Sequence, residues 1–359
     1  FRSSNSRPLL GASAALLMMV ACTASRPSGG PTAEQPAPRA EPKVLVVAGP
    51  AELTGFPSRS VVGGAGAATH LVEAGLALAD ERTGQAAPQL AEALPSSDGG
   101  SWKVNGDGTM ETTYRLRPNL TWHDGTPFSS KDFVFGHELL QDPAYPYANR
   151  EPGDQISRID TPDDRTLVIH WKAVTREAGS LYRNKMVSRP RHILEPMYRS
   201  GEIERVINHP WWSREYVGTG PFRVVDFSPG EGATLEAFDG YAFGRPKVDR
   251  ITWRSILDPN AALANVLANE VDITIEALGF EQAVVAKEQW AAKGEGTVDF
   301  TGTGSESVVP SPRNPWFDDV RVRRALLHAL DREAMVQTLF AGLAPVAHFV
   351  LSPKHPSMS

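Results

Sequence analysis

Residues 114–128 read YRLRPNLTWHDGTPF, and residues 131–135, just beyond them, read KDFVF. Three local signals meet in this stretch. Apolar and polar residues alternate over 110–116, which predicts a strand with one buried face. Asp124-Gly125 predicts a tight turn, and the S-x-x-D pattern from Ser129 to Asp132 predicts the capped start of a helix. The stretch therefore encodes a strand, a turn and a helix in succession.

Strand and helix signals continue to alternate on both sides of this stretch. Short apolar runs predict strands, and Asn-Gly, Asp-Gly and Pro-Gly turns join two pairs of them into hairpins. The predicted strands are 43–48, 102–104, 110–116, 165–171, 222–227, 234–238, 251–253 and 271–275. The predicted helices are 69–80, 261–269, one that begins at 129, and two late helices capped by Asp318 or Asp319 and by Asp331. This mixture favours an α/β fold over a sandwich or a bundle.

Composition limits the classes of function. The chain has 359 residues, enough for two or three domains, and carries 36 Lys and Arg against 42 Asp and Glu. The resulting net charge of -6 argues against a nucleic-acid partner, which needs clustered basic residues. The single cysteine, Cys22, excludes an internal disulfide and a C-x-x-C site.

The first 42 residues have the pattern of an export signal followed by a linker. Arg2 and Arg7 precede an apolar run, 9–21, that is too short to span a bilayer and predicts a signal peptide over residues 1–21. The sequence MMVAC at 18–22 resembles the bacterial lipobox, which predicts lipidation of Cys22 and anchoring to a membrane. The alternative is a plain secretory signal with an incidental cysteine. The Pro-rich residues 22–42 predict a disordered tether.

The sequence lacks the common motifs for catalysis, metal binding and cofactor binding. His137-Glu138 begins an H-E-x-x-H zinc pattern, but Gln141 stands where the second histidine is needed. No serine lies in a G-x-S-x-G nucleophile elbow, and the glycine-rich stretches do not form a phosphate loop. His123-Asp124 is the best local acid–base pair, yet its turn has an adequate structural explanation. We therefore expect no enzymatic activity, no cofactor and no metal.

Four ordered segments resemble one protein family. They are PQLAE at 88–92, the stretch at 114–135, VGTGPF at 217–222 and DDVRVRRALLHALDR at 318–332. Together they resemble the bacterial extracellular solute-binding proteins of family 5, the oligopeptide-, dipeptide- and nickel-binding proteins of ABC importers. Residues 262–273 are also similar to a G-E-V-D element of that family, with Asn269 in place of the glycine.

The resemblance implies a two-lobed α/β fold of the type II periplasmic-binding-protein class with an extra subdomain. Residues 43–69 and 210–305 would form the first lobe, and residues 70–209 the extra subdomain. Residues 306–359 would begin the second lobe, which we expect to be incomplete because family members usually continue well beyond this point. Such a protein is a monomer that encloses a peptide or another small solute between its lobes by hinge closure, and delivers it to permease subunits in the membrane.

Site residues also follow from the resemblance. Two loops match family positions that line the ligand cleft, and their residues are Ala51, Glu52 and Leu53, with Ile275, Glu276 and Ala277. The alternative for these six is an ordinary role in a loop or strand end. The residues of the two turn motifs are expected to be structural, and they are Trp122, Asp124, Gly125, Gly218, Thr219, Gly220 and Pro221. Trp211 and Trp212 are expected to be packed in the interior, with lining of a ligand cleft as the alternative.

Two other functions stay open at this point. One is an exported lipoprotein hydrolase, which would need a nucleophile and a base that converge in one pocket. The other is a sensor that presents its ligand to a receptor without transport. The expected location in every case is the periplasm or the extracytoplasmic face of a membrane.

Overall fold

The computed structural model describes most of the chain after residue 40. The described residues are 41–57, 65–80, 85–146, 150–298, 311, 313–340, 342 and 346. The predicted signal peptide, Cys22 and all of the predicted tether except residues 41 and 42 lie outside them. Within the described part of the chain, every helix is too short or too polar to cross a membrane.

Strands and helices alternate along the described chain. The strands are β1 Val44–Gly49, β2 Ala77–Ala79, β3 Ala86–Pro88, β4 Trp102–Val104, β5 Met110–Arg115, β6 Ile156–Asp163, β7 Thr166–Trp171, β8 Phe222–Ser228, β9 Gly232–Ala237, β10 Arg250–Ser255 and β11 Ile273–Thr274. The helices are α1 Ala65–Val72, α2 Ser130–Gln141, α3 Arg191–Arg199, α4 Ile203–Ile207, α5 Pro259–Leu267, α6 Phe280–Gln289, α7 Val320–Ala329 and α8 Arg332–Leu339. All eight predicted strands are present, whereas β2, β3 and β6 were not predicted.

A five-stranded sheet in the order β11-β1-β10-β9-β8 contains the first strand of the described chain. β1 runs parallel to both β10 and β11, while β9 lies between β10 and β8 and runs antiparallel to both. The β1 sequence VLVVAG suits this central place, because a strand flanked by parallel partners is covered on both faces. Gly49 ends β1 beside Trp253, whose ring would lie 2.3 Å from a Cβ at position 49. Only glycine therefore fits this end of the strand.

A four-stranded antiparallel sheet in the order β4-β5-β7-β6 is built around the stretch at 114–128. The β4–β5 hairpin confirms the predicted one, and Met110, Thr112 and Tyr114 of β5 are buried as the alternation predicts. The Trp171 indole N–H on β7 donates to the Thr112 hydroxyl at 2.9 Å. This sheet lies within residues 70–209 and the five-stranded sheet within the ranges predicted for the first lobe, but the lobe boundaries stay a prediction.

Helix α2 packs into two hydrophobic cores, one against the five-stranded sheet and one against the four-stranded sheet. Its predicted capping box is confirmed, since the Ser129 N–H donates to the Asp132 carboxylate at 2.8 Å. Phe133 lies in the core of the four-stranded sheet, whereas Phe135 lies in the core of the five-stranded sheet. At Gly136 a Cβ would lie 2.0 Å from the Val187 carbonyl oxygen, so the helix approaches a neighbouring segment there by its backbone.

The predicted helix over 69–80 is wrong. Helix α1 ends at Val72, and the chain continues in an extended form into β2, which pairs with β3. The cause is tertiary contact at Gly75, where a Cβ would lie 2.3 Å from the Arg183 backbone nitrogen. The Gly75 N–H donates to the Gln89 side-chain oxygen at 2.9 Å instead of to a helix carbonyl. Apolar spacing suited a helix, but packing against residues distant in sequence overrides it.

The two late helices are confirmed with their caps. The Asp319 carboxylate accepts the Arg321 N–H at 2.8 Å, and the Asp331 carboxylate accepts the Ala334 N–H at 2.9 Å. Asp319, not Asp318, is therefore the cap of α7. No residue of α7 or α8 is buried, and the apolar residues of the α7 stripe are half-buried or exposed.

Candidate functional site

The carboxyl ends of three parallel strands meet at one edge of the five-stranded sheet. β1 lies between β10 and β11, with Val47 opposite Trp253 on one side and Ile273 on the other. The loops that follow β1 and β11 therefore emerge side by side. In open α/β sheets, ligands bind in the crevice outside the carboxyl ends of the strands. We name this region, formed by residues 50–57, 255–258 and 275–279, the carboxyl edge.

The first predicted loop is partly at the surface and partly in the core. Glu52 is exposed and Ala51 is half-buried, but Leu53 is 1% exposed and packs in the core of the five-stranded sheet. The Leu53 N–H donates to the Ser255 hydroxyl at 3.2 Å, and its carbonyl accepts from the Gly230 N–H at 3.0 Å. Leu53 thus fixes the loop, while Ala51 and Glu52 face outward.

In the second predicted loop, two residues are likewise held by the fold and the residue between them is exposed. The Ile275 N–H donates to the Ala48 carbonyl at 2.9 Å, and Ala277 is buried in a small cluster under α5. Glu276 between them is exposed and has a φ of 59°, in the left-handed region. Such a conformation costs a residue with a Cβ on the order of 1 kcal/mol and is enriched at ligand-binding sites. Glu276, the residue with the strained backbone, is therefore also the exposed residue of this loop.

A second constellation joins the two turn motifs through His123. The backbone N–H of His123 donates to the Gly218 carbonyl at 2.9 Å. The ring nitrogen Nδ1 of His123 accepts the backbone N–H of Gly218 at 3.1 Å. Because Nδ1 is an acceptor, the proton of the neutral ring is on Nε2, which donates to the Gly220 carbonyl at 3.1 Å. Burial lowers the pKa of His123 to about 4. We name this cluster of His123, Gly218 and Gly220 the turn junction.

The turn junction also packs against the end of α1. The Gly220 N–H donates to the Val72 carbonyl at 2.9 Å, and a Cβ at Gly220 would lie 2.4 Å from the Val72 carbonyl carbon. The Thr219 hydroxyl accepts the Ala74 N–H at 3.2 Å, and the Pro221 carbonyl accepts the Phe238 N–H at 2.9 Å. These contacts support a structural role for the G-T-G-P motif.

The W-H-D-G turn has structural contacts of its own. Trp122 is 2% exposed, and Gly125 has a φ of 86°, which the turn requires and which favours glycine. Asp124 accepts the Thr126 N–H at 2.9 Å and pairs with His192 at 2.8 Å. Asp124 therefore does not form an acid–base pair with its neighbour His123, both of whose ring nitrogens bond to backbone groups.

A buried ion pair near the turn junction was not predicted from the sequence. Arg189 and Glu73 are 1% and 9% exposed, and Arg189 Nη1 lies 3.5 Å from Glu73 Oε1. The Arg189 guanidinium also stacks over the rings of Trp211 and Trp212, at 5.5 and 5.3 Å from their centroids. Both tryptophans are buried, which favours the packing role over the ligand cleft. A fully buried arginine needs an acidic partner. The sequence near Arg189 does not indicate which carboxylate is that partner, because Glu73 is distant along the chain.

The carboxyl edge gathers exposed loop residues at one end of the five-stranded sheet. Within the described residues, no group of three or more His, Cys, Asp or Glu side chains could hold a metal ion. The arrangement is that of an α/β protein in which neighbouring loops are held at one edge of a sheet.

The chain belongs to the bacterial extracellular solute-binding proteins of family 5. The family model, described as "Bacterial extracellular solute-binding proteins, family 5 Middle", matches residues 85–359. A relative in Brucella ovis, a putative ABC transporter peptide-binding protein, is 29% identical over 258 residues, which are 70% of this chain and 45% of that protein. The chain thus spans about half the length of the curated relatives it matches.

Solved structures show the same fold. The oligopeptide-binding protein AppA from Bacillus subtilis, in complex with a nonapeptide, matches 88% of this chain and 59% of its own, with a TM-score of 0.66 and 22% identity. An oligopeptide-binding protein from Thermus thermophilus, in complex with a pentapeptide, matches 87% of this chain and 59% of its own, with a TM-score of 0.67 and 20% identity. The predicted two-lobed α/β fold class is thereby confirmed.

Proposed function

We propose that the chain belongs to the solute-binding component of an ABC importer, which captures peptides or similar solutes and delivers them to a membrane permease. Membership of family 5 and the peptide-binding relatives support the class of function. The observation that carries the proposal is the carboxyl edge, where two loops are fixed by buried neighbours and present Glu52 and Glu276 outward. We propose these two residues, with Ala51, as the ligand-facing ones, and Leu53, Ile275 and Ala277 as their support.

The physical account of capture follows from this arrangement. An extended peptide presents backbone donors and acceptors whatever its side chains are, and ordered water in the cleft accommodates variable side chains. Broad specificity results. Closure of the lobes would be stabilised only by contacts that exist in the closed state, so the bound solute selects the form that docks on the permease.

A binding role is favoured over catalysis. Members of the family are binding proteins, and the one local acid–base candidate, His123, uses both ring nitrogens in hydrogen bonds to the backbone. A hydrolase would need a base that can reach a substrate. The sensor alternative shares the same cleft and differs only in the partner.

The proposed location is the extracytoplasmic side of a membrane, with Cys22 as the lipid anchor and the protein as a monomer. The family's extracellular character supports export, and the lipobox resemblance supports the anchor. Metabolic labelling of the native host with a palmitate analogue tests the anchor, because Cys22→Ser should abolish incorporation. Incorporation that persists in the Cys22→Ser protein would refute it.

Calorimetric titration tests the binding function directly. The protein, expressed with any coding sequence that follows residue 359, is titrated with a mixed panel of short peptides. We expect saturable binding that Glu276→Gly weakens, because the glycine keeps the left-handed turn but removes the side chain together with its carboxylate. Asn119→Gly is the matched control, since Asn119 also has a positive φ, of 59°, but lies in the turn after β5. Absence of binding across the panel, or equal weakening by both variants, would contradict the proposal.

A further inference from the structure

A small cavity lies beside the turn junction. Its volume is about 10 Å³, and its lining includes Glu73, Ala74, Trp122, Tyr216 and Thr219. A cavity of this size has room for about one water molecule and for nothing much larger. Its walls are polar as well as aromatic, which distinguishes it from the dry apolar cavities of protein cores.

Several buried polar atoms of the lining residues have no hydrogen bond within the described part of the chain. Among them are Glu73 Oε2 and the Trp122 indole Nε1, on side chains that are nine-tenths or more buried. The other Glu73 oxygen, Oε1, faces Arg189 in the buried ion pair. Buried polar atoms in native proteins almost always have a partner, and ordered water supplies it where protein groups do not.

We propose that this cavity binds one resident water molecule, which accepts the Trp122 indole N–H and donates to Glu73 Oε2. The Tyr216 hydroxyl lines the same cavity beside Glu73 and is available as a third partner. Two to four polar partners are what a buried water usually has.

The chemistry of the lining favours water over an ion. A cation would meet the Trp122 N–H donor and the Arg183 side chain, which also lines the cavity. An anion would meet the Glu73 carboxylate. Water alone of the three can accept from the indole and donate to the carboxylate at the same time. The water would therefore link the W-H-D-G turn to the buried ion pair.

Water–indole cross-relaxation by NMR tests this proposal in solution. The chain has eight tryptophans, and the loss of one indole signal in Trp122→Phe assigns the Trp122 Hε1 resonance. We expect a rotating-frame cross-peak between Trp122 Hε1 and water, opposite in sign to the diagonal, which separates it from hydrogen exchange. Trp171 is the matched control, because its buried indole N–H already donates to the Thr112 hydroxyl at 2.9 Å and its side chain does not line the cavity.

The results that overturn the proposal are definite. Absence of the cross-peak at Trp122, or cross-peaks of equal strength at Trp122 and Trp171, would show that no water is held specifically in this cavity. A crystal structure of the unmodified chain gives a second test that needs no variant. We expect one density peak within hydrogen-bond distance of both Glu73 Oε2 and Trp122 Nε1. An empty cavity, or a direct hydrogen bond from Tyr216 to Glu73 that closes it, would refute the inference.

Discussion

The turn junction and the carboxyl edge differ in how fully their polar groups are used. At the turn junction, His123 bonds through its backbone N–H and both ring nitrogens, and Gly218 and Gly220 lie against the backbone of α1 with no room for a side chain. At the carboxyl edge, backbone groups of Leu53 and Ile275 hold the loops, but Glu52 and Glu276 are exposed.

This difference separates the two turn motifs from the residues that we propose to face the ligand. The W-H-D-G and G-T-G-P motifs are conspicuous in the sequence because their geometry accepts few residue types. The side chains of Glu52 and Glu276 at the carboxyl edge are exposed, so the fold constrains these side chains less, although the backbone of Glu276 is held in the left-handed region. The two motifs therefore belong to the scaffold, and the positions that we propose to face the ligand lie outside them.

Removing the His123 ring should have the largest effect. His123→Ala leaves the Gly218 N–H and the Gly220 carbonyl without partners in a buried site, which should lower the free energy of unfolding by about 4 kcal/mol. Urea unfolding followed by tryptophan fluorescence measures it. His192→Ala is the control, because its pair with Asp124 is partly exposed and should contribute less than about 1 kcal/mol. An equal loss of unfolding free energy in the two variants would mean that the buried contacts of His123 contribute no more than the exposed pair of His192.

Adding a methyl group at Gly220 should be the next largest perturbation. A Cβ there would lie 2.4 Å from Val72 and 2.7 Å from the Glu73 backbone nitrogen, so backbone must move. We expect Gly220→Ala to lower the free energy of unfolding by about 3 kcal/mol. Gly106→Ala, in the β4–β5 turn where a Cβ meets open space, should change it by less than about 0.5 kcal/mol. Chemical denaturation measures the unfolding free energy of both variants. A Gly220→Ala protein as stable as the parent would contradict the close approach of Gly220 to the backbone of Val72.

Acidification should weaken the turn junction in a defined window. The pKa of His123 is about 4 in the folded chain against 6.5 for an exposed histidine, so the unfolded state binds the extra proton first. The stabilisation by His123 is complete above pH 6.5 and is lost as the pH falls towards about 4, with a total of about 3 kcal/mol. The measurement is the difference in unfolding free energy between the parent and His123→Gln across this range. A difference that does not vary with pH would contradict the neutral, buried ring.

Relief of the strained residue at the carboxyl edge should have the smallest effect on stability, and the opposite sign. Glu276→Gly places glycine at a φ of 59° and should raise the free energy of unfolding by about 1 kcal/mol. Asn119→Gly should change it less, because asparagine tolerates the left-handed region better than glutamate. Thermal unfolding of the two proteins compares them. A destabilised Glu276→Gly protein would mean that the carboxylate makes a structural contact.

The parts of the fold that the sequence predicts are those with local causes. The β4–β5 hairpin, the capping box of α2 and the Asp319 and Asp331 caps all depend on residues within a few positions of one another. The predicted helix over 69–80 failed because Gly75 packs on the backbone of Arg183, more than a hundred residues away. Local periodicity cannot anticipate such a contact.

The site is less accessible to sequence reasoning for the same reason. The His123 contacts join positions 95 and 97 residues apart, and the ion pair of Glu73 and Arg189 joins positions 116 residues apart. The two loops of the carboxyl edge were identified only by family resemblance. The left-handed conformation of Glu276 has no signal in residue type, since glutamate does not favour it.

The position of helix α2 has a consequence for how the protein unfolds. One of its aromatic side chains, Phe133, is enclosed with the four-stranded sheet, and another, Phe135, with the five-stranded sheet. A fluctuation that detaches this helix exposes both interiors to solvent together. The two sheets are thus joined into a single unit of cooperative unfolding, and the amide hydrogens of β5 and β9 should exchange through the same rare opening event.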